Sequence, residues 1–395
     1  MKQERPIRVL QIINSLGMGG AETWLMEVLR VWSKSEVGRI DFLVTSGAPG
    51  IFDKEARMLG AQVHYVRYGR ARLPRFAKQF RQVLREGRYH AIHDHQDYAS
   101  GWHFLMGRTA LPPVRVTHVH NPGYQIRNNY GVTLSRRFTA RVGKALVARY
   151  ATHITGTSRQ VIAEYGFDSS RFRRISKSVL HCGFDTTRFL GDAVPSKASV
   201  CHEFGWPEDA KIILFAGRID RSPDLGHPQN HKNSGFAVSV AIECARRDPR
   251  VRMLLAGAPS PAVPILERRI ATSRLEGRIR FAGIRQDIER LMLASDVLLF
   301  PSRGEGLGMV AVEAQAAGLP VLVSNTVPRE CIVVPELVRF QKVEAGEAAW
   351  AADLVQLAAQ PRDILGANQK VAASAFSIDS SASALLRLYS EGTLS

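Results

Sequence analysis

Two glutamates and a glycine-rich turn carry the clearest chemical signal in the sequence. The pattern predicts a strand over residues 296–301, a turn over 304–308 and a helix over 309–317. Glu305 lies in the turn, and Glu313 lies eight residues later, inside the helix. Backbone amides and the helix dipole favour an anion at a helix N-terminus, and carboxylates accept hydrogen bonds from hydroxyls. These residue types suit a ligand with phosphates at one end and hydroxyls at the other, such as a nucleotide-sugar.

A second glycine-rich turn follows the first predicted strand. Residues 7–13 are an apolar run, and Gly19 and Gly20 come before a predicted helix over residues 22–32. A strand, a glycine turn and a helix in this order form a possible second phosphate cradle. Tight packing of the helix on the strand explains the same glycines, so the turn by itself leaves both interpretations open.

Histidines end two further predicted strands. His93 and His95 alternate in the segment 90–97, and His118 and His120 alternate in the segment 114–121. In an open parallel sheet, ligands bind beyond the carboxyl ends of the strands, where His95 and His120 are expected. No carboxylate or cysteine cluster completes a metal site beside them, so we predict that the protein binds no metal.

The order of the predicted elements indicates the architecture. Strands and helices alternate through the first half, and the alternation restarts at a strand over residues 211–217, after a polar segment (186–208) that is typical of a linker. This pattern predicts an α/β protein with two doubly wound domains that face each other across a cleft. The predicted domains are 1–190 and 191–376, with a C-terminal helix, 377–395, that packs back on the first domain.

Composition restricts the class of protein and its partners. The chain has 395 residues and a formal net charge of +17, and residues 1–186 hold 29 Lys and Arg against 13 Asp and Glu. The segment 67–88 is a predicted basic helix with one apolar stripe, which fits either an ordinary surface helix or a helix at an anionic membrane. No membrane-spanning segment, signal peptide or paired cysteine motif is evident. We therefore expect a cytoplasmic protein, peripheral on the inner face of the cell membrane.

Several motifs together resemble glycosyltransferase family 4, in its capsular and exopolysaccharide branch. The segment GEGLGMVAVEAQAAGLPVLVS is similar to the family signature, and Glu305 and Glu313 match its pair of glutamates. SLGMGGAE resembles the N-terminal glycine turn of the family, and AIHDH and THVHN resemble its histidine-ended strands. LHCGFDTTRF, FAGR with HKN, and FAGIRQDI resemble further family segments. The resemblance covers nearly the whole chain.

The resemblance implies a GT-B fold and a retaining transfer without metal or cofactor. It implies that the second domain holds a nucleotide-diphosphate sugar and the first domain an acceptor. Arg218 and Lys232 would neutralise the diphosphate, Glu313 would accept from the ribose and Glu305 from the donor sugar. His120 would lie near the anomeric centre. Further donor-binding positions are implied at Gly19, Gly20, Ile284, Gly306, Leu307, Gly308 and Met309.

One departure from the family concerns Lys232. The family places its arginine and lysine close together, whereas residues 222–231 separate Arg218 from Lys232 here. Prolines and a glycine in this insertion indicate an added loop. Whether the loop displaces Lys232 from the diphosphate is left open by the sequence.

The resulting prediction is a glycosyltransferase of polysaccharide biosynthesis. We expect a UDP-sugar as donor, with a guanosine nucleotide as the other option, and a glycolipid or lipid-linked oligosaccharide as acceptor. One alternative is an epimerase or phosphorylase of the same fold. An alternative of another class is a basic nucleic-acid-binding protein, but the sequence has no recognisable nucleic-acid motif and no stacking aromatics among its basic residues.

Overall fold

The computed structural model describes residues 6–35, 37–125, 133–190, 197–224 and 226–390. The chain divides into two units. Unit 1 comprises Met1–Gly123, Tyr130–Asp185 and Ala375–Ser395. Unit 2 comprises Tyr124–Asn129 and Thr186–Ser374.

Unit 1 is built on a parallel sheet of seven strands in the order β3-β2-β1-β4-β5-β6-β7. The central strands are buried along most of their length, as is typical of a sheet covered by helices on both faces. The strands are β1 (Ile7–Ile13), β2 (Gly38–Val44), β3 (Val63–Tyr65), β4 (Ala91–Asp94), β5 (Val114–Val119), β6 (His153–Gly156) and β7 (Ser176–Val179).

Six helices lie between these strands in the part of unit 1 whose helix bounds the structure describes. They are α1 (Gly20–Ser35), α2 (Asp53–Met58), α3 (Leu73–Gly87), α4 (Ala99–Gly107), α5 (Leu134–Tyr150) and α6 (Arg159–Glu164). Local sequence fixes several of their ends. Pro74 lies in the first turn of α3, where its missing N–H has no helical partner to lose. Ser158 caps α6 by accepting from the Val161 amide at 3.2 Å.

Unit 2 has a parallel sheet of six strands in the order β10-β9-β8-β11-β12-β13. The strands are β8 (Lys211–Ala216), β9 (Val251–Ala256), β10 (Ile279–Gly283), β11 (Val297–Phe300), β12 (Val321–Ser324) and β13 (Val338–Gln341). The helices are α7 (Lys197–Phe204), α8 (Ser234–Arg247), α9 (Val263–Thr272), α10 (Ile288–Ala294), α11 (Met309–Ala316), α12 (Gly346–Leu357) and α13 (Ile364–Ala372). Apolar residues from the sheet and from α8, α9 and α12 form one core.

The last helix, α14 (Ile378–Ser390), packs on α1 and β1 within unit 1. Trp24 of α1 donates its indole N–H to Ser381 Oγ at 2.8 Å. Tyr389 is fully buried, and its ring meets that of Trp32 edge-on at 6.1 Å. A buried indole N–H needs an acceptor, so this hydrogen bond helps to fix α14 on unit 1.

Most of the strands and helices predicted from the sequence are present. Two assignments are wrong. The sequence pattern predicts the last strand of unit 1 over residues 179–185, but the strand is at Ser176–Val179, because the polar run before Leu180 pairs with β6 on an exposed edge. The segment 186–208 is not a plain linker, since it contains a 3-10 turn at Thr186–Phe189 and helix α7. Residues 191–196 of that segment lie outside the described residues.

Two further predictions concern a loop that contacts the acceptor and the absence of membrane-spanning helices. The sequence of residues 122–131, with its glycines and asparagines, favours a mobile loop that contacts the acceptor, but positions 126–132 are outside the described residues. Among the helices that the structure describes, none combines the length and the apolar character needed to cross a bilayer.

Candidate active site

The two loops with the strongest sequence signal follow adjacent strands of unit 2. Arg218 comes directly after β8, and Glu305 comes after β11. Strands β8 and β11 are neighbours, while β9 lies on the other side of β8. The strand order therefore reverses between β8 and β11, and such a switch point opens a crevice at the carboxyl ends of the strands.

The side chain of Asp220 holds the far end of the insertion beside β8. Its buried carboxylate accepts from the amides of His231 at 2.8 Å, Lys232 at 3.0 Å and Ser234 at 2.9 Å. The Ser234 hydroxyl donates to it as well, at 3.2 Å. Because Asp220 precedes the insertion and its side chain binds the backbone at the far end, the chain returns to its starting point and Lys232 stays beside Gly217, at the end of β8.

Lys232 is paired with the predicted glutamate of the glycine turn. Its Nζ donates to Glu305 Oε1 at 2.6 Å and lies 5.7 Å from the centre of the Phe300 ring. Ser302, which is fully buried, donates to the same oxygen at 2.7 Å. A cation, a carboxylate and a hydroxyl from three loop positions therefore converge at the switch point, and the insertion does not displace Lys232 from Glu305.

Arg218 lies near this pair, and its guanidinium group has no partner among the described residues. Its side chain is exposed, and it makes no hydrogen bond or ion pair with any described residue. The preceding residue, Gly217, lies against the Lys232 side chain, which is 3.6 Å from a Cβ added at Gly217. Burial lowers the pKa of the His231 imidazole, Asp220 raises this pKa, and Arg218 lowers it further. A free guanidinium beside a satisfied lysine is suited to bind an anion from outside the protein.

The glycine turn presents unused amides. Gly308 precedes α11 with φ of 93°, a left-handed conformation that favours glycine. A Cβ at this position would lie 2.9 Å from Val327 and 3.0 Å from Phe300. Within the described residues, no oxygen accepts from the amides of Gly306, Leu307, Gly308 or Met309. Free amides at a helix start attract anions.

Glu313 projects from α11 into a partly buried position. Burial raises the pKa of its carboxyl group to about 7, Arg188 and Lys232 lower it, and Glu289 raises it. Arg188 lies on the 3-10 turn that packs on α11 and donates to Glu289 at 2.8 Å. Glu313 therefore belongs to the same charged region as Lys232, although the two side chains form no direct ion pair.

Ile284 lies in the loop after β10, and its side chain is 61% exposed. The next residue, Arg285, donates to Asp287 at 2.8 and 2.7 Å and to Glu203 at 2.7 Å. Arg290 reinforces this network through Glu203 at 2.5 Å. Ion pairs hold the backbone of the loop, so the apolar Ile284 side chain projects to solvent on a fixed support.

In unit 1, the predicted glycine turn leads into α1. Gly20 is the first residue of the helix, and a Cβ added there would meet no atom within 4 Å. A Cβ on Gly19 would instead collide with the carboxylate of Glu22. The turn therefore leaves the backbone at Gly20 open to a ligand, while a side chain at Gly19 would require the Glu22 side chain to move.

The four histidines form a ladder on β4 and β5. His95 Nδ1 lies 2.7 Å from His120 Nε2, and His93 Nε2 lies 3.0 Å from His118 Nδ1. Within each strand the rings stack, with centroids 4.3 Å apart for His93 and His95 and 3.9 Å apart for His118 and His120. Trp24 of α1 covers the ladder, edge-on to His118 at 5.8 Å.

Burial keeps the ladder neutral. Desolvation, with repulsion from neighbouring imidazoles, lowers the pKa values of His93, His95 and His118 well below the usual histidine value. Burial lowers the pKa of His120 to about 4. At neutral pH His120 is therefore an uncharged imidazole that lies after the carboxyl end of β5.

Nitrogen atoms of His93, His95 and His118 lie within 4.8 Å of one another, a spacing compatible with a shared metal ion. The described structure gives most of these nitrogens another partner. His93 and His118 bind each other, and both nitrogens of His95 are engaged, by His120 and by Gln11. A metal would have to replace these hydrogen bonds, so the ladder is better explained as a hydrogen-bonded unit. The predicted absence of metal stays a prediction.

Comparison with known proteins places the chain in a family. The model of Glycosyltransferase Family 4 matches residues 18–188, and the model of Glycosyl transferases group 1 matches residues 210–360. A putative glycosyltransferase, EpsF of Bacillus subtilis (strain 168), is 29% identical over 90% of this chain and 88% of its own length. D-inositol 3-phosphate glycosyltransferase of Mycobacterium tuberculosis (strain ATCC 25177 / H37Ra) is 31% identical over 59% of this chain and 46% of its own length.

Solved structures show the same fold. HepE of Anabaena, crystallised with UDP and glucose, matches 98% of this chain and 100% of its own with a TM-score of 0.75 and 18% identity. A glycosyltransferase from Rickettsia africae ESF-5 matches 98% and 99% with a TM-score of 0.76 and 17% identity. The two parallel sheets and these matches confirm the predicted α/β, GT-B fold class.

The two matched models cover most of the chain and both describe glycosyltransferases, so the protein is a glycosyltransferase. The chain belongs to glycosyltransferase family 4. The enzyme class predicted from the sequence is thereby confirmed.

Sequence reasoning missed the residues that support the site. Neither Asp220 nor Ser302 is among the predicted site residues. Gln11 and Tyr389, which touch the histidine ladder, were not singled out either. The only sequence signal for Gln11 is a polar side chain inside the apolar strand 7–13, which needs a buried partner.

Proposed function

We propose that the protein transfers a hexosyl group from a UDP-sugar to a glycan or lipid-linked acceptor, with retention of configuration and without a metal. The observation that carries the proposal is the free Arg218 beside the Lys232–Glu305 pair and the open amides of the glycine turn. HepE of Anabaena was crystallised with UDP and glucose on the same fold, and EpsF of Bacillus subtilis, a putative glycosyltransferase, supports the transferase assignment.

The chemistry of the step explains the residue types. When the sugar leaves, negative charge builds on the β-phosphate, and preorganised cations and N–H groups aimed at that charge lower the barrier. Arg218 offers a planar fork of donors and Lys232 a point charge. Ser302 and Lys232 both hold Glu305 before any ligand arrives, so its remaining lone pairs are positioned to accept from sugar hydroxyls.

The other predicted positions have corresponding roles in the proposal. Glu313 accepts from the ribose hydroxyls, and the exposed Ile284 supports the base. His120 contacts the transferred sugar. Gly306, Leu307, Gly308 and Met309 donate amides to phosphate and sugar, while Gly19 and Gly20 allow close approach of the backbone to the phosphates.

A thermal-shift comparison of nucleotides tests the donor. A ligand that binds only the folded state raises the melting temperature, by RT ln(1 + [L]/Kd) in free energy. We expect UDP and UDP-glucose to raise it in the absence of divalent metal, with an excess of EDTA present, and GDP and ADP to do so less. Stabilisation by GDP alone would reject the uridine assignment, and stabilisation that appears only when metal is restored would reject the metal-free mechanism.

We also propose that α3 faces an anionic membrane that carries the acceptor. Phe76, Phe80, Val83 and Leu84 of this helix are buried in unit 1. Its outer face keeps Arg75, Lys78 and Arg85 in solvent. The helix buries its apolar stripe in the protein, so the attraction to lipid is electrostatic and each basic side chain contributes about 1 kcal/mol near an anionic surface.

Vesicle flotation tests this surface. We expect the wild-type protein to float with vesicles of phosphatidylglycerol and phosphatidylcholine but not with phosphatidylcholine alone. The double variant Arg75→Glu/Arg85→Glu should lose most of this binding. The double variant Arg268→Glu/Arg280→Glu changes the charge equally at two exposed arginines of unit 2 and should retain it. Equal loss in both variants would show that net charge, and not α3, attracts the membrane.

A further inference from the structure

Gln11 connects the C-terminal helix to the histidine ladder. It is fully buried in β1. Its Nε2 donates to the hydroxyl of Tyr389 at 3.0 Å, and its Oε1 lies 2.9 Å from His95 Nε2. An amide oxygen carries no proton and can only accept. With Gln11 Nε2 on Tyr389, His95 holds its proton on Nε2 and donates it to Gln11.

The proton position on His95 determines the proton position on His120. A neutral imidazole has one N–H, so His95 Nδ1 is unprotonated and accepts from His120 Nε2 at 2.7 Å. His120 is neutral at physiological pH because burial lowers its pKa to about 4. Its proton is on Nε2, and its Nδ1 presents a lone pair that no described residue uses.

The orientation of the Gln11 amide is coupled to the Tyr389 hydroxyl. Tyr389 accepts from Gln11 Nε2 and lies 2.5 Å from His93 Nδ1, to which its own proton can be donated. A rotated amide would require Tyr389 to donate to Gln11, His93 to donate to Tyr389 and His95 Nε2 to be unprotonated. The orientation with Gln11 Nε2 on the hydroxyl therefore links the tautomer of His95 to a residue more than 370 positions away in the chain.

We propose that Gln11 is a positioning residue which, through His95, sets the tautomer of His120 and makes its Nδ1 a hydrogen-bond acceptor for a hydroxyl of the transferred sugar. The tautomer follows from the contacts of unit 1 alone, whereas its use in catalysis rests on the proposed function. Tyr389 of the C-terminal helix is thereby linked to His120 through Gln11 and His95.

Nitrogen NMR tests the tautomer without reference to activity. In the full chain labelled with 15N-histidine, long-range proton–nitrogen spectra distinguish protonated from unprotonated ring nitrogens. The His120 signals are identified by their loss in His120→Asn. We expect an unprotonated Nδ1 at His120 in the wild type. Gln11→Met keeps the side-chain length but removes the acceptor, and we expect both tautomers in this variant. An Nδ1–H in the wild type, or an unchanged tautomer in Gln11→Met, overturns the inference.

Kinetics test the consequence for transfer. We expect turnover with UDP-sugar to fall about tenfold in Gln11→Met, the equivalent of one misdirected hydrogen bond, with the acceptor KM unchanged. Tyr389→Phe keeps the ring packing and should show a smaller loss together with a mixed tautomer. Tyr89→Phe is the matched control, since it removes a buried hydroxyl that donates to Asp41 at 3.0 Å, away from the ladder, and should leave turnover and tautomer unchanged.

The two proposals fail in different ways. If the tautomer is as expected but no UDP-sugar supports transfer, the hydrogen-bond chain stands and the proposed function is wrong. If transfer is normal in Gln11→Met while its tautomers are mixed, Gln11 has no positioning role in catalysis.

Discussion

Replacement of Arg218 by alanine should reduce turnover by about 10²–10³-fold, the loss typical of one donor aimed at charge that develops in the transition state. The loss should appear mainly in kcat, because the phosphate charge that Arg218 meets increases as the glycosidic bond breaks. The free energy of unfolding should stay the same, because the exposed side chain has no partner among the described residues. Steady-state transfer assays and thermal melts measure these two quantities.

Arg221 provides the matched control for this experiment. It lies three residues further on, at the start of the insertion, and is exposed and unpaired among the described residues. Arg221→Ala should retain nearly full turnover. If Arg218→Ala and Arg221→Ala behave alike, positive charge near the crevice matters only in general, and the specific role of Arg218 is wrong.

The replacement Asp220→Asn should destabilise unit 2 by about 2–3 kcal/mol. One carboxylate oxygen accepts from His231 and Lys232, and the other accepts twice from Ser234. An amide group of the same shape would present N–H donors to one of these sets, and a buried donor facing another donor leaves both unsatisfied. Urea denaturation of the wild type and the variant measures the difference.

The same replacement should weaken catalysis, because Lys232 depends on Asp220 for its place beside Glu305. We expect a higher KM for the donor and a lower kcat in Asp220→Asn at temperatures where the variant is folded. Asp224→Asn is the control, since Asp224 is an exposed residue of the same insertion whose carboxylate accepts from the Gly226 amide at 2.9 Å. Wild-type stability in Asp220→Asn would contradict the structural role given to this carboxylate.

Local sequence was sufficient to predict the strands and most helices around the site. Apolar runs such as 7–13 and 211–216 have no amphipathic alternative, and glycines at 304–308 together with Gly318 mark the start and end of α11. The elements that were missed are short or polar. β7 has the sequence SKSV and is exposed over most of its length, so its pairing with β6 leaves no hydrophobic pattern in the chain.

The sequence by itself determined the fold class, the family and the residue types of the candidate site, because these depend on the periodicity of apolar residues and on glycine turns next to charged side chains. The tertiary structure decided which of those side chains work together. Asp220 brings Lys232 back across ten inserted residues, and Gln11 joins Tyr389 to His95. Such pairings depend on long-range hydrogen bonds between buried polar atoms, and no local pattern encodes which partner a buried polar group will find.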